Sequence, residues 1–433
     1  MLRLSIASEF EEVVFSARAA FSKRSWPYVL ATAIPWLLCA GQRSITRLSV
    51  LGRHRRSLSS YYRFLSDGKW RLEVLFRSLF ELVVKTFRLD EITLVVDDTL
   101  CPKWGRSIYG TASYFDHAAR PRAGFIWGHN WIVLAVVVPV GSAGWVSLPF
   151  WIGLYRPQSS CAASAFRTRH QITAEALAAV RNWFSGPILL LADGAYANRS
   201  LVLPALDLAI HVVSRLRSDA RLYAPTPVRR RRGQPGRPPK HGPPLRKLPQ
   251  IAKRSRGWRK LRVEIYGQRV HLHVHELVAW WPPLRRVIKV VITRDPKNDR
   301  RIAYLWTTDP DMSAREVIER FAQRWTIEQM FSVAKRQLGF DSAEVRKQRA
   351  VVRHATLCMA LVTWVEVWTY RFRAKARERS FAHKIAALRA ETVKQTVFSS
   401  GPRCEGSRRI ANDLSQRSSP SPRRPHENSR KAS

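Results

Sequence analysis

Four carboxylates in this chain of 433 residues stand at spacings that could support chemistry. Asp97 and Asp98 close the β-branched run ITLVVDD, Asp193 closes LLLAD, and Glu328 falls in the apolar-periodic stretch AREVIERFAQRWTIEQMFSVAKRQLG. Acids are the scarce residues, 32 Asp+Glu against 74 Lys+Arg, so their placement beside apolar strands is informative. A carboxylate at a strand end lies at the carboxyl edge of a sheet, where α/β active sites form. Oxygen donors suit Mg²⁺ or Mn²⁺. Two such ions about 4 Å apart can activate an attacking oxygen and stabilise a leaving one in phosphoryl transfer. A lone Asp after a strand is more often a turn cap; three acids in this order, inside so basic a chain, favour a site. Side chains alternate along a strand, so Asp97 and Asp98 face opposite sides and only one can be the main ligand.

The helical stretch adds a second pattern. Phe321, Arg324, Glu328 and Lys335 are separated by three, four and seven residues, which puts all four on one helix face. On that face Glu328 can ligate a metal while Arg324 and Lys335 hold phosphates. The plainer reading is an exposed Glu–Arg pair worth about 0.2–0.5 kcal/mol.

The elements that must position these groups follow from periodicity. Residues 1–90 read as a helical domain. A change of pattern at residue 92 opens an α/β core (91–214): the strand EITLVVDDT, a hairpin of buried strands over 131–140 and 145–154, a helix over 172–184 and a strand over 187–196. Residues 215–308 hold a Pro/Arg-rich loop and then strand-like runs. A single long helix is expected from Ser313 to the C-cap Gly339, within C-terminal core helices over 309–390, and 391–433 reads as a disordered basic tail.

The formal charge of +42 accompanies an ordinary 45% of hydrophobic residues, which excludes a wholly disordered polycation and points to a polyanionic partner. Residues 215–263 carry 17 basic residues and one acid, yet half of the excess, +21, lies outside both this segment and the tail 401–433, so the partner meets a broad surface. The apolar runs 28–40 and 131–140 are too short to span a bilayer, and Glu9, Glu11 and Glu12 interrupt any signal peptide. Five dispersed cysteines without a Cys-x-x-Cys pair argue against a disulfide framework and a zinc knuckle. These features predict an intracellular protein without a membrane segment.

The blocks LVVDDTLCPKWG, FIWGHNWIVLAVVV, LLLADGAYAN and RFAQRWTIEQMFSVAKRQLG resemble insertion-sequence transposases of the DDE superfamily. The family pattern in the last block is Tyr, two residues, Arg, three residues, Glu, six residues, Lys. Here Phe321 replaces the Tyr, keeping the ring and losing a hydroxyl donor for a phosphate. The resemblance implies a ribonuclease H-like mixed sheet flanked by helices, an α/β (α+β mixed) fold with a helical N-terminal domain and a β-strand insertion between Asp193 and Glu328. It implies Asp97, Asp193 and Glu328 as ligands of two Mg²⁺ (or Mn²⁺) ions, with Asp98 as the alternate first acid. It also implies double-stranded DNA partners, both inverted-repeat ends and target, and a homodimer bridging the ends in a bacterial cytoplasm. A ribonuclease H-like nuclease or resolvase without strand transfer, and a non-catalytic DNA-binding protein, are the rival readings.

Other motifs carry weaker signals. Arg53, His54, Arg55 and Arg56 lie at a turn that would suit a helix-turn-helix touching phosphates. Arg229, Arg230, Arg231, Arg232 and Arg237 form a basic loop whose GQPGRPPKHG segment resembles an AT-hook; a nonspecific phosphate tether is the simpler role. His129 and the alternating His271, His273 and His275 lack a fourth zinc ligand. Trp258, Trp280, Trp281 and Trp306 could stack on a flipped base, although Trp is usually buried.

Overall fold

We describe the fold from a computed structural model, which covers residues 8–39, 43–51, 57–116, 124–141, 144–225, 240–254, 256–342 and 344–399. Five helices come first: α1 (Ser8–Phe15), α2 (Trp26–Leu38), α3 (Ile45–Leu51), α4 (Leu58–Ser66) and α5 (Leu72–Phe87). Arg53, His54, Arg55 and Arg56 lie outside the described residues.

Four strands follow: β1 (Ile92–Pro102), β2 (Ala112–Asp116), β3 (Gly124–Val140) and β4 (Gly144–Tyr155). Then come α6 (Arg169–Trp183), β5 (Ile188–Ala192), α7 (Arg199–Asp207) and β6 (Ile210–Arg215). β1, β3 and β4 form an antiparallel meander, and β5 and β6 add in parallel on the free edge of β1. This is the mixed α/β sheet of a ribonuclease H-like fold. β1 does not stop at its aspartates. Its parallel ladder with β5 ends at the pair Val96–Ala192, while its antiparallel ladder with β3 continues to Pro102. The acids therefore sit where one neighbour leaves the strand, not where the strand ends.

Beyond β6 come α8 (Leu248–Ala252) and the strands β7 (Arg259–Ile265), β8 (Gln268–Trp281), β9 (Arg286–Asp295) and β10 (Asn298–Thr307). Within the Pro/Arg-rich stretch α8 buries Leu248, Ile251 and Ala252 in the core, where the composition suggests a loop. The four strands form a meander whose last member pairs with β6, so they extend the core sheet to ten strands. Trp281 and Trp306 are buried against each other there, with ring centroids 5.0 Å apart.

The C-terminal part contains α9 (Ala314–Gln323), α10 (Trp325–Leu338), α11 (Gln348–Phe372) and α12 (Phe381–Ser399). Ser313 caps α9 in a capping box with Glu316, and Gly339 ends α10 in the left-handed conformation at φ 64°. The single expected helix is instead broken at Arg324. α11 is long and apolar enough to cross a bilayer, but 94% of its most apolar 18-residue window is buried, which makes it the central helix of the core. α12 continues to Ser399, so the first nine residues of the expected tail are helical.

Candidate functional site

The site begins with the register of two strands. Val96 pairs with Ala192, so Asp97 and Asp193 are the next residues on neighbouring parallel strands. Side chains of β1 alternate, so Thr93 and Asp97 share one face. α9 and α10 cover it: Arg320 donates to Thr93 Oγ1 at 3.1 Å, and Arg324 donates to Asp97 Oδ2 at 3.2 Å. The second guanidinium nitrogen of Arg324 reaches Glu328 Oε1 at 2.7 Å. One cation thus ties the first acid to the third. Arg324 stands between α9 and α10, where the backbone makes three-residue bonds from Arg324 to Phe321 and from Ile327 to Arg324, and Glu328 lies one helical turn further on.

Asp98 faces the other way. Arg169, at the start of α6, pairs with its Oδ2 at 3.0 Å, and the Tyr196 hydroxyl donates to its Oδ1 at 3.1 Å. Thr168 and Gln171 form the capping box that starts α6 beside this pair. Arg169 and Tyr196 escaped the sequence reading, although Tyr196 lies in the LLLADGAYAN block; only the strand's alternation hinted that Asp98 would need partners of its own.

Electrostatics separate the acids. Burial pushes the Asp97 carboxyl up to about 7; Arg324 and the Asp98 backbone N–H pull it down, while Asp98 and Asp193 add to the upward push. The Asp193 side chain accepts from the Ala195 N–H in the turn after β5. Lys335 donates to the Leu100 carbonyl at 2.8 Å, farther along β1, and the Arg324 guanidinium lies 5.8 Å from the centre of the Phe321 ring. The predicted helix face is therefore turned toward β1 despite the break. Arg229, Arg230, Arg231, Arg232 and Arg237 lie outside the described residues.

The donor chemistry suits a hard divalent cation: Asp97, Asp193 and Glu328 offer only oxygen donors, and the Arg324 guanidinium pairs with two of them. Among the described residues no three acids, histidines or cysteines already stand close enough to share one ion. Arg324 occupies the interval between Asp97 and Glu328. His129 donates its Nε2–H to the Tyr109 carbonyl at 2.9 Å, burial lowers its pKa to about 4, and among the described residues it belongs to no group of three metal-ligating side chains. His275 Nδ1 is engaged with the Gly257 carbonyl, and Trp258 lies under Arg294 with 4.5 Å to the ring centre.

A ribonuclease H-like sheet with acids at the end of its central parallel pair is the framework of a metal-dependent nuclease. The chain belongs to the DDE superfamily of endonucleases, whose family pattern it matches over residues 18–280. That span includes Asp97, Asp98 and Asp193 and ends before Glu328. Members of this superfamily generally use divalent metals. No curated relative matches significantly. Among solved structures, the chain is similar to a piggyBac transposase in a synaptic complex with hairpin DNA, solved by cryo-EM. That similarity has 11% identity and a TM-score of 0.41, over 91% of this chain and 76% of the other.

Proposed function

We propose that this protein is a DNA transposase of an insertion sequence, which binds terminal inverted repeats, cleaves them and joins the freed ends to target DNA. The observation that supports this reading is the register of Asp97 beside Asp193, with Glu328 linked to Asp97 through Arg324. Water attacks the phosphodiester at the transposon end and releases a 3′-hydroxyl, which then attacks a target phosphodiester and displaces the target's own 3′-oxygen. Asp97, Asp193 and Glu328 would hold two Mg²⁺ or Mn²⁺ ions, which supply charge for the attacking and leaving oxygens. Arg169 and Tyr196 hold Asp98 on the opposite face and so stiffen β1 behind Asp97. Arg324 leaves the carboxylates for a backbone phosphate when the site is loaded, Lys335 steadies the next phosphate, and Phe321 packs beside them without a hydroxyl donor. The basic loop with Arg229, Arg230, Arg231, Arg232 and Arg237 tethers the duplex. Two copies bridge the two ends in the bacterial nucleoid.

Single replacement of Asp97, Asp193 and Glu328 by Ala tests the assignment. Mg²⁺-dependent cleavage of inverted-repeat DNA is expected to vanish in each variant, and cleavage that survives all three changes overturns it. Joining of a precut end to plasmid DNA distinguishes a transposase from a nuclease, which yields no joined product.

A further inference from the structure

Far along β1 from the carboxylates, the segment 103–111 links β1 to β2 and carries an unusual surface. Trp104 is 97% exposed; on the adjoining β2–β3 face, Phe125 is 75%, Phe115 43% and Trp127 39% exposed. These rings lie along one stretch of the surface, and two of them meet. Phe115 pairs with Phe125 in the ladder, their rings meeting edge to face at 5.6 Å. Phe125 and Trp127 share a face of β3, and the Trp127 indole N–H donates to the Gly105 carbonyl, next to Trp104, at 3.4 Å. A contiguous exposed apolar patch on a soluble chain marks an interaction site.

The same segment forms one wall of a groove of about 500 Å³, whose other wall is the start of α11. Its cations are Arg106, Arg346 and Lys347, and no acidic side chain lines it among the described residues. The Tyr109 N–H donates to the Arg346 carbonyl at 2.9 Å, which ties the two walls together. Exposed rings beside a groove lined by three cations match a strand with unstacked bases and a phosphate backbone. The position matters too: Pro102 lies roughly 17 Å beyond Asp97 along the same strand, at about 3.3 Å per residue, and Lys335 touches β1 between them at Leu100.

We propose that segment 103–111, the β2–β3 face and the start of α11 form a second DNA surface, which holds an unpaired strand running on from the carboxylate site. The aromatic side chains stack on its bases, while Arg106, Arg346 and Lys347 take its phosphates. This rests on the reading that the chain acts on DNA, and it adds a surface that prefers single-stranded over duplex DNA.

The test uses the full chain with a labelled 20-nucleotide oligothymidylate and an unrelated duplex of the same length. Trp104→Ala, at a nearly fully exposed position, is expected to weaken single-strand binding by about 5- to 100-fold with little effect on the duplex. Trp104→Phe is expected to retain most of the affinity. Replacing Arg106, Arg346 and Lys347 together by Ala is expected to reduce the slope of log affinity against log salt by about 2 for the single strand. An oligonucleotide carrying 5-iododeoxyuridine is expected to crosslink to Trp104, Trp127 or Phe125, read by mass spectrometry of the digest. Unchanged single-strand affinity and salt slope in these variants overturn the proposal. So does a Trp104→Ala variant that loses self-association while binding the oligonucleotide normally, which would give the face to a second copy of the chain. Failure of the transposase reading leaves a different trace: no Mg²⁺-dependent cleavage, with oligonucleotide binding still sensitive to Trp104.

Discussion

The protein buries charge in two ways. Between α11 and α12, Glu366 and Lys384 pair at 2.7 Å with side chains 9% and 3% exposed; burial raises the Glu366 pKa and the lysine opposes the shift. That site is closed, one acid to one base. At the junction of β1, β5 and α10, Arg324 bridges Asp97 and Glu328, the Asp193 carboxylate on the neighbouring strand accepts from the Ala195 N–H, and Arg169 is committed to Asp98. A fold that only needed to bury charge would balance it, since an unpaired buried ion costs several kcal/mol. The open site is short of positive charge, and that deficit is what a divalent cation on DNA would fill.

The largest expected effect separates the two sites by function. Asp97→Ala, Asp193→Ala and Glu328→Ala are each expected to lower Mg²⁺-dependent cleavage by at least about 10⁴-fold, over 5 kcal/mol of barrier, with far-UV circular dichroism unchanged. Lys384→Ala should do the reverse. It strands Glu366 in the core and costs about 3–5 kcal/mol of stability, while cleavage per folded molecule stays near wild type. Loss of activity in a folded Lys384→Ala protein would break the contrast.

A smaller effect tests the deficit itself. Mg²⁺ at about 100 times its dissociation constant should stabilise the wild type by about 2.7 kcal/mol. The thermal midpoint of Asp97→Ala should not respond, and that of Lys384→Ala should rise as the wild type does. Equal Mg²⁺ shifts in all three proteins would make the carboxylate set no more a cation site than the closed pair.

Much of this contrast was legible in the sequence, and the unread part has a physical pattern. The runs ITLVV and ILLLA mark buried strands by their lack of polar alternation, and the spacing of Arg324, Glu328 and Lys335 marks a common helix face. Those are local signals. The partner of Arg324 on β1 is a carboxylate 227 residues away, and the hold on Asp98 comes from Arg169 and Tyr196, at separations of 71 and 98 residues. The continuation of β1 past its acids depends on β3 supplying a partner where β5 stops, and the joining of β10 to β6 is equally nonlocal. Composition also misled where apolar residues were sparse: α8 sits in a Pro/Arg-rich stretch yet buries three side chains.

The smallest expected effect is a pH dependence in chelator, and its sign differs between the regions. A carboxyl held near 7 in the folded chain and near 3.9 in the unfolded one keeps its proton in the fold after unfolding would release it. Asp97 therefore makes stability fall as pH rises from about 4 to 7. Two buried histidines act in the opposite direction. Burial lowers His129 to about 4 and His354 to about 3, so unfolding takes up protons below about 6.5 and stability rises with pH up to that point. The wild-type profile is the difference of these slopes, and Asp97→Asn isolates one of them. In urea unfolding, the variant should gain on the wild type by about 2 kcal/mol between pH 5 and 7. Saturating Mg²⁺, which needs the ionised carboxylate, should stabilise the wild type more at pH 7 than at pH 5. A flat difference between variant and wild type in chelator would mean that Arg324 alone satisfies Asp97, and that the site is as closed as the pair between α11 and α12.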